Sequence, residues 1–496
     1  MNFSKRIMSV VLCTCMVIGA SISPFLQKND TTEDIIAGFD SVVVWYTDES
    51  MTDYMNAMAV AFHEKYDIRV IPQLQSGLDY LESIYDASVR EENGPDVYII
   101  SNEALEKAYL SGLATEIADP DNIVNQEHFP LAALNAVTYQ NKKIGYPYYF
   151  ETSVLLYNKS YIYEMAKNQL MAETAEDVET ESEAAAAADG ESSSAQNTEV
   201  SEEAVEERIA ELIPKTFDEL LAFADSYDAP QAVEAVFKWD VKDIFYNYFF
   251  IGNYMDVGGP CGDKTDEVDI YNLDAIKAMQ IYQNLNQFFS FESEDVAYNS
   301  VIREFMEGKL VFTTATSDIM KTLQTAAEEG EFSFEYGLAE IPDLNDELIT
   351  KSLSVTNTVV VNGFSDKKED ADKFASYLAG EGSASLYEKT GKIPSNSKEA
   401  CKDDKTAVFY QEYSNSVPLP KMMVTSNLWV QLEVTFAKVW NGASVSKSLQ
   451  SLSEMIMSQV TGTEYREEYI DEPEEEETTI EYLDEEAERE AAKQEG

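Results

Sequence analysis

Three apolar runs near the start of the chain, each followed by a helical pattern, constrain the fold more than any other feature. "SVVVWYT" (41–47) is a β-branched run ending in aromatics, the composition of a buried strand. Met51, Met55, Met58, Ala59 and Phe62 then recur at steps of three and four, the spacing of an amphipathic helix. "IRVIPQL" gives a second strand, residues 78–89 a second helical pattern, and "GPDVYIIS" (94–101) a turn and a third strand. A helix through Leu110 and a stop at Gly112 close the series. Strand and helix alternating in this way predict an α/β layered domain with a mostly parallel sheet. Ligands of such sheets bind at the carboxyl ends of the strands. Here those ends are Trp45-Tyr46-Thr47 and Ser101-Asn102-Glu103.

At 496 residues the chain is too long for one ordinary core, and two or three domains are expected. Its 92 acidic against 35 basic residues give a formal net charge of −57. A field of that sign argues against nucleic acid or anionic membrane surfaces as partners. Part of the charge is local. Residues 171–211 hold 14 carboxylates against Arg208 alone, and residues 461–496 hold 16 against three basic side chains. The first is an Ala/Glu/Ser-rich insert without aromatics, expected to be disordered or loosely helical. The second is an acidic tail, with a solvated helix expected around 480–492. Between them, Thr216 with Glu219 three residues on reads as a helix start.

Lys5 and Arg6 followed by the apolar run 7–20 read as an export signal, with cleavage after Ala20. A lipidated Cys15 and an uncleaved N-terminal anchor remain open alternatives. Outside this segment only Cys261 and Cys401 remain, a possible disulfide in an oxidising compartment, with two separate thiols as the alternative. With His63 and His128 the only histidines and no CxxC spacing, no metal site is expected, and no cofactor. A calcium loop at 261–269 lacks the EF-hand spacing. Enzyme motifs such as a Gly-x-Ser-x-Gly elbow, a Walker loop or a His-Glu-x-x-His pair are not found, so no enzyme is expected.

"GYPYYFETSVLLYNKSY" (145–161) crowds Tyr146, Tyr148, Tyr149 and Phe150 around Glu151, just before a strand-like run. Alternation would turn Tyr149, Glu151 and Ser153 to one side and Tyr148, Phe150 and Thr152 to the other. Core filler, a ligand shelf and a crossing between domains all fit those residues.

The ordered series "VVVWYT", "AVAFHEKYDIRV", "GPDVYIIS", "LATEI", "KKIGYPYYFETSVLLYNKSY", "IPKTFDELLAFA", "GNYMDVGG", "FMEGKLVFTTATS", "FEYGLAEIPD", "ADKFASYLAG", "TGKIPSN" and "LWVQLEVTFAKV" resembles the extracellular solute-binding proteins of carbohydrate ABC transporters, which are maltose-binding-protein-like. The resemblance spans about 40–459, apart from the insert. It implies a two-lobed periplasmic-binding-protein-like (type II flytrap) fold with interlobe crossing strands. The parts it implies are a signal or anchor at 1–26, a linker at 27–40, lobe 1 at 41–149 and a crossing at 150–170. After the insert at 171–211 come lobe 2 at 212–325, a return to lobe 1 at 326–385, lobe 2 helices at 386–460 and the tail at 461–496.

It further implies a monomer on the outer face of the membrane that binds a sugar and delivers it to ABC permease transmembrane subunits. The ligand contacts it implies are Trp45, Tyr46, Asn102 and Glu103 in lobe 1 and Tyr149 and Glu151 on the crossing. In lobe 2 they are Trp239, Tyr248, Asp318 and Trp429. Tyr248 and Trp429 match sugar-stacking positions, whereas Asp318 (or Ser317) stands where the maltose-specific proteins place a Trp. A Trp and a cation of those proteins are likewise Ile100 and Ala104 here, departures that argue against maltose itself. The alternatives are a surface sensor or interaction protein without transport, and an importer component for a peptide or polyamine.

Overall fold

The computed structural model describes residues 41–90, 94–186, 200–289 and 296–473. The expected signal, Cys15, the core of the acidic insert and the expected helix at 480–492 lie outside these residues. The main strands in chain order are β1 (Ser41–Tyr46), β2 (Arg69–Leu74), β3 (Val97–Ser101), β4 (Tyr146–Asn158) and β5 (Ala235–Phe237). They continue with β6 (Leu310–Thr316), β7 (Tyr336–Ala339), β8 (Leu353–Val361) and β9 (Val417–Pro418). The chain divides into two compact units. Among the described residues, unit 1 comprises those of 41–130, Val137–Tyr149 and Thr356–Glu399; unit 2 comprises Leu131–Ala136 and those of 150–355 and 400–473.

Unit 1 begins as its sequence predicts. Parallel β2, β1 and β3 are joined by helices Thr52–Tyr66 and Tyr80–Val89, with Ser41 opposite Arg69 and Val44 opposite Val97. The β-branched residues of these strands suit a sheet covered on both faces. Val42, Val44, Tyr98 and Ile84 are all at most 1% exposed. The second half of β8 adds antiparallel to β3, Val361 opposite Val97. Phe62 of the first helix packs edge-on against Phe374, ring centres 5.0 Å apart. The buried Asp96 carboxylate accepts from Val43 N (2.8 Å) and Ser365 Oγ (2.6 Å), and Lys367 stands 3.8 Å away.

In unit 2, β4 from Ser153 to Tyr157 pairs antiparallel with β6, β6 pairs parallel with β5, and β7 also adds to β4. Its core is built from rings. Trp239 and Trp440 meet at right angles 5.6 Å apart, and Tyr282 packs against Trp440 and Phe436. Helices Leu273–Phe289, Leu428–Trp440 and Val445–Thr461 supply the aliphatic remainder.

Several expected boundaries move. The return to unit 1 runs over Thr356–Glu399 rather than 326–385, since Pro394 bridges Tyr149 and Ser395 N donates to the Tyr148 carbonyl. Leu131–Ala136 belongs to unit 2, although it falls inside the stretch expected to form lobe 1. The helix that begins at Lys159 continues to Ala186, well into the insert, and Glu202–Leu212 forms a second helix beside it. Val205 and Ile209, one turn apart, are buried there, and Arg208 pairs with Glu173 at 2.8 Å. The folded body therefore resumes before residue 212. The tail is docked at its start: Ile470 N donates to Tyr271 Oη (2.8 Å), and Ser446 N donates to Glu472 (2.9 Å).

Candidate functional site

Each unit presents a surface built at strand ends. In unit 1 a hollow of about 420 Å³ lies at the carboxyl ends of β1 and β3, lined by Tyr46, Asp48, Tyr80, Ser101, Tyr149 and Asn357 among others. Asp48 starts the short helix that follows β1, accepting from Ser50 N and Oγ. Lys392 pairs with Asp48 at 2.6 Å, and its ammonium lies 4.9 Å from the Tyr149 ring centre. Burial pushes the Asp48 carboxyl up, but Lys392 and the Ser50 donors outweigh it and hold the group below its usual range. The hollow thus carries an aromatic face, hydroxyls and an acid already matched by a cation.

The expected unit 1 contacts separate into two kinds. Tyr46 and Tyr149 line the hollow, and Glu103 is exposed beside it, accepting from Ser101 Oγ at 3.2 Å. Trp45 turns the other way into the core, its indole N–H donating to Gln73 Oε1 at 2.8 Å. Asn102 is fully buried, and its side-chain oxygen accepts from Thr356 N at 2.9 Å. These two are structural straps rather than contact residues. The dense aromatic stretch serves largely as core: Tyr146, Tyr148 and Phe150 are fully buried. Tyr146 Oη donates to Asp372 (2.7 Å), and Phe150 stacks on Tyr413 at 3.9 Å.

Unit 2 shows the same sorting. Trp239 is 0% exposed and donates to Asn247 Oδ1 at 2.8 Å, so it belongs to the core and not to a ligand surface. Tyr248 is 1% exposed and lines a groove of about 1120 Å³ that also runs past Asn135, Glu340, Asp343, Glu412 and Pro418. Trp429 is half-buried with its ring centre 5.7 Å from that of Tyr248, and Glu151 is half-buried on β4. Asp318 is exposed and takes a hydrogen bond from the Thr316 hydroxyl at the end of β6. Of the two readings the sequence left open for Cys261 and Cys401, the structure has the separate thiols, Cys261 half-buried and Cys401 exposed.

Two residues missed by sequence reasoning join Asp318. Tyr298 hydrogen-bonds to Thr316 through both hydroxyls (3.1 Å), and its ring stacks on Tyr246 at 4.5 Å and 12°. The available signal was Tyr246 itself, two residues before the position chosen by analogy.

A two-lobed periplasmic-binding-protein-like α/β fold is the class these units define, and solved structures agree with it. An extracellular solute-binding protein from Staphylococcus aureus, solved with maltose, matches with a TM-score of 0.66 at 17% identity, covering 85% of this chain and 98% of that one. The maltose-binding protein MalE from Listeria monocytogenes matches at 0.64 and 19%, covering 86% and 100%. The bacterial extracellular solute-binding protein model matches residues 57–413, and the chain belongs to that family. Among curated relatives, the maltodextrin-binding protein MdxE of Bacillus subtilis is 21% identical over 463 residues, covering 90% of this chain and 94% of the relative. The galactooligosaccharide-binding protein of the same organism is 21% identical over 470 residues, covering 91% and 96%.

Proposed function

We propose that this chain is the exported binding component of an ABC importer, that its solute is a sugar or oligosaccharide, and that it performs no catalysis. The observation that carries this reading is the nearly end-to-end match to two relatives, one named for maltodextrin and the other for galactooligosaccharide. The surfaces support it chemically. Tyr46 and Tyr149 offer aromatic faces beside hydroxyls and Glu103. Tyr298, Asp318, Trp429 and Glu151 offer rings and carboxylates in unit 2. Rings suit the C–H faces of a pyranose, and carboxylates accept strongly from its hydroxyls.

Thermal unfolding against a panel of mono- and oligosaccharides, peptides and polyamines tests the reading. A ligand at about 100 times its Kd adds about 2.7 kcal/mol of stability. A sugar-dependent rise in Tm that Tyr149→Ala and Trp429→Ala abolish is the expected result. A rise with peptides or polyamines alone would overturn the choice of solute.

A further inference from the structure

An acid–base pair stands at the hollow of unit 1, and the chain fixes it from both sides. Lys392 follows the left-handed Gly391 (φ 78°), and its backbone N–H donates to Thr390 Oγ1 at 3.1 Å. Two residues on, Pro394 bridges to Tyr149, and Ser395 N donates to the Tyr148 carbonyl at 2.8 Å. The lysine backbone is thereby held beside the strand that carries Tyr149, and only 19% of its side chain is exposed. Its ammonium meets Asp48 Oδ2 at 2.6 Å and lies 4.9 Å from the Tyr149 ring centre. Asp48 Oδ1 is taken separately, by Ser50 N at 2.9 Å and Ser50 Oγ at 2.6 Å.

Asp48 and Tyr149 both line the hollow, so the pair meets whatever enters it. The other charged side chains of the lining, Asp79, Glu82 and Lys107, are exposed, where water and salt screen them. A carboxylate paired in this way keeps lone pairs for a hydroxyl, and the ammonium keeps N–H donors. Neither keeps net charge for an ionised guest. An ammonium or carboxylate entering the hollow would give up hydration and find no counterion, whereas a hydroxyl would find both an acceptor and a donor. Leaving the wrong partner's charge unpaired is one way in which a site discriminates.

We propose that Asp48 and Lys392 together act as a charge filter: the pair reads the hydroxyls of an uncharged sugar and turns away one that carries an ammonium or a carboxylate. This rests on the sugar-binding reading and names the class of sugar, with Lys392 as the residue that sets it. Removing the Lys392 charge leaves the Asp48 carboxylate open to a cationic guest. Removing the Asp48 charge leaves the Lys392 ammonium open to an anionic one. What the rest of the chain contributes is common to all variants, so the change between variants isolates the pair.

The test is isothermal titration of the full chain with a maltooligosaccharide and a galactooligosaccharide of equal length. Each is offered in its neutral form, with one hydroxyl replaced by an amine, and with a terminal carboxylate. Wild type should bind the neutral form tightest. Lys392→Met should move the amine-to-neutral affinity ratio toward the amine by about tenfold or more, and Asp48→Asn should move the carboxylate-to-neutral ratio toward the carboxylate by as much. The double variant should return both ratios to near the wild-type values, and Lys392→Arg should keep them, with thermal unfolding without ligand reporting the fold of each. Single variants that weaken all three forms equally, or leave the ratios unmoved, overturn the filter while leaving sugar binding intact. A chain that binds no form of either sugar overturns the sugar reading as well.

Discussion

Particular acids of the two units are held in different ways. In unit 1, Asp48 in the hollow is matched by Lys392, and buried Asp96 is matched by two donors with Lys367 nearby. In unit 2, Asp240 beside the Tyr246–Tyr298 stack accepts from the backbone N–H groups of Lys242, Asp243 and Tyr298, and buried Glu412 accepts from Ser352 Oγ and Ile341 N. A carboxylate taken from water is stable only when charge or several donors replace its hydration. Unit 1 makes that replacement within the chain. In unit 2 the replacement around Glu412 is made by donors alone, and burial raises its carboxyl.

The contrast can be broken most forcefully in the core that supports it. Trp239→Ala removes a fully buried ring that packs on Phe237 and Trp440, and should cost about 3–5 kcal/mol in denaturant unfolding. Half-buried Trp429→Ala should cost less stability but abolish the ligand-induced rise in Tm. Wild-type stability in Trp239→Ala would show that this ring is not core. Glu412 sharpens the electrostatic side. Burial first pushes its carboxyl up to about 7 against an unfolded value of 4.5, with Ser352 and Ile341 opposing. The folded chain therefore holds that proton more tightly. This contribution is fully present below pH 4.5 and is lost as pH rises through about 7, on the order of 3 kcal/mol. Glu412→Gln should flatten that part of the pH profile of Tm, and an unchanged slope would contradict the assignment.

Smaller effects are expected in unit 1. Asn102→Ala leaves Thr356 N buried without its acceptor and should cost about 1–3 kcal/mol by chemical denaturation. Lys392→Ala removes the cation above Tyr149, an effect of about 0.5–2 kcal/mol. It should also let the Asp48 pKa rise, readable by NMR titration. An unmoved Asp48 would mean that Lys392 does not hold it.

The strand–helix series of unit 1 was legible because each element announces itself within a dozen residues: β-branched runs for β1 and β3, and a three-and-four step from Met51 to Phe62. The boundaries between units were less legible, since Thr356–Glu399 joins unit 1 through pairings with residues far back in the chain. Helix Glu202–Leu212 was hidden by its acidity, although Val205, Ile209 and Leu212 carry the apolar step. Burial alone did not divide the site residues: Tyr46 and Tyr149, 3% and 6% exposed, line the hollow, whereas Trp45, 9% exposed, packs into the core, Asn102 and Trp239 are fully buried, and Asp318 and Trp429 reach the surface. In a chain with 29 tyrosines, spacing cannot distinguish a ring that packs from one that faces solvent. Tyr246 and Tyr298 escaped because their stack joins two distant segments.

Native mass spectrometry of the full chain in a mixed pool of neutral and amino oligosaccharides tests sugar binding most directly. One oligosaccharide per chain, displaced when Tyr149 or Trp429 is changed to Ala, is the predicted result. A chain that stays bare across the pool, or that captures only peptides or polyamines offered beside it, would contradict it.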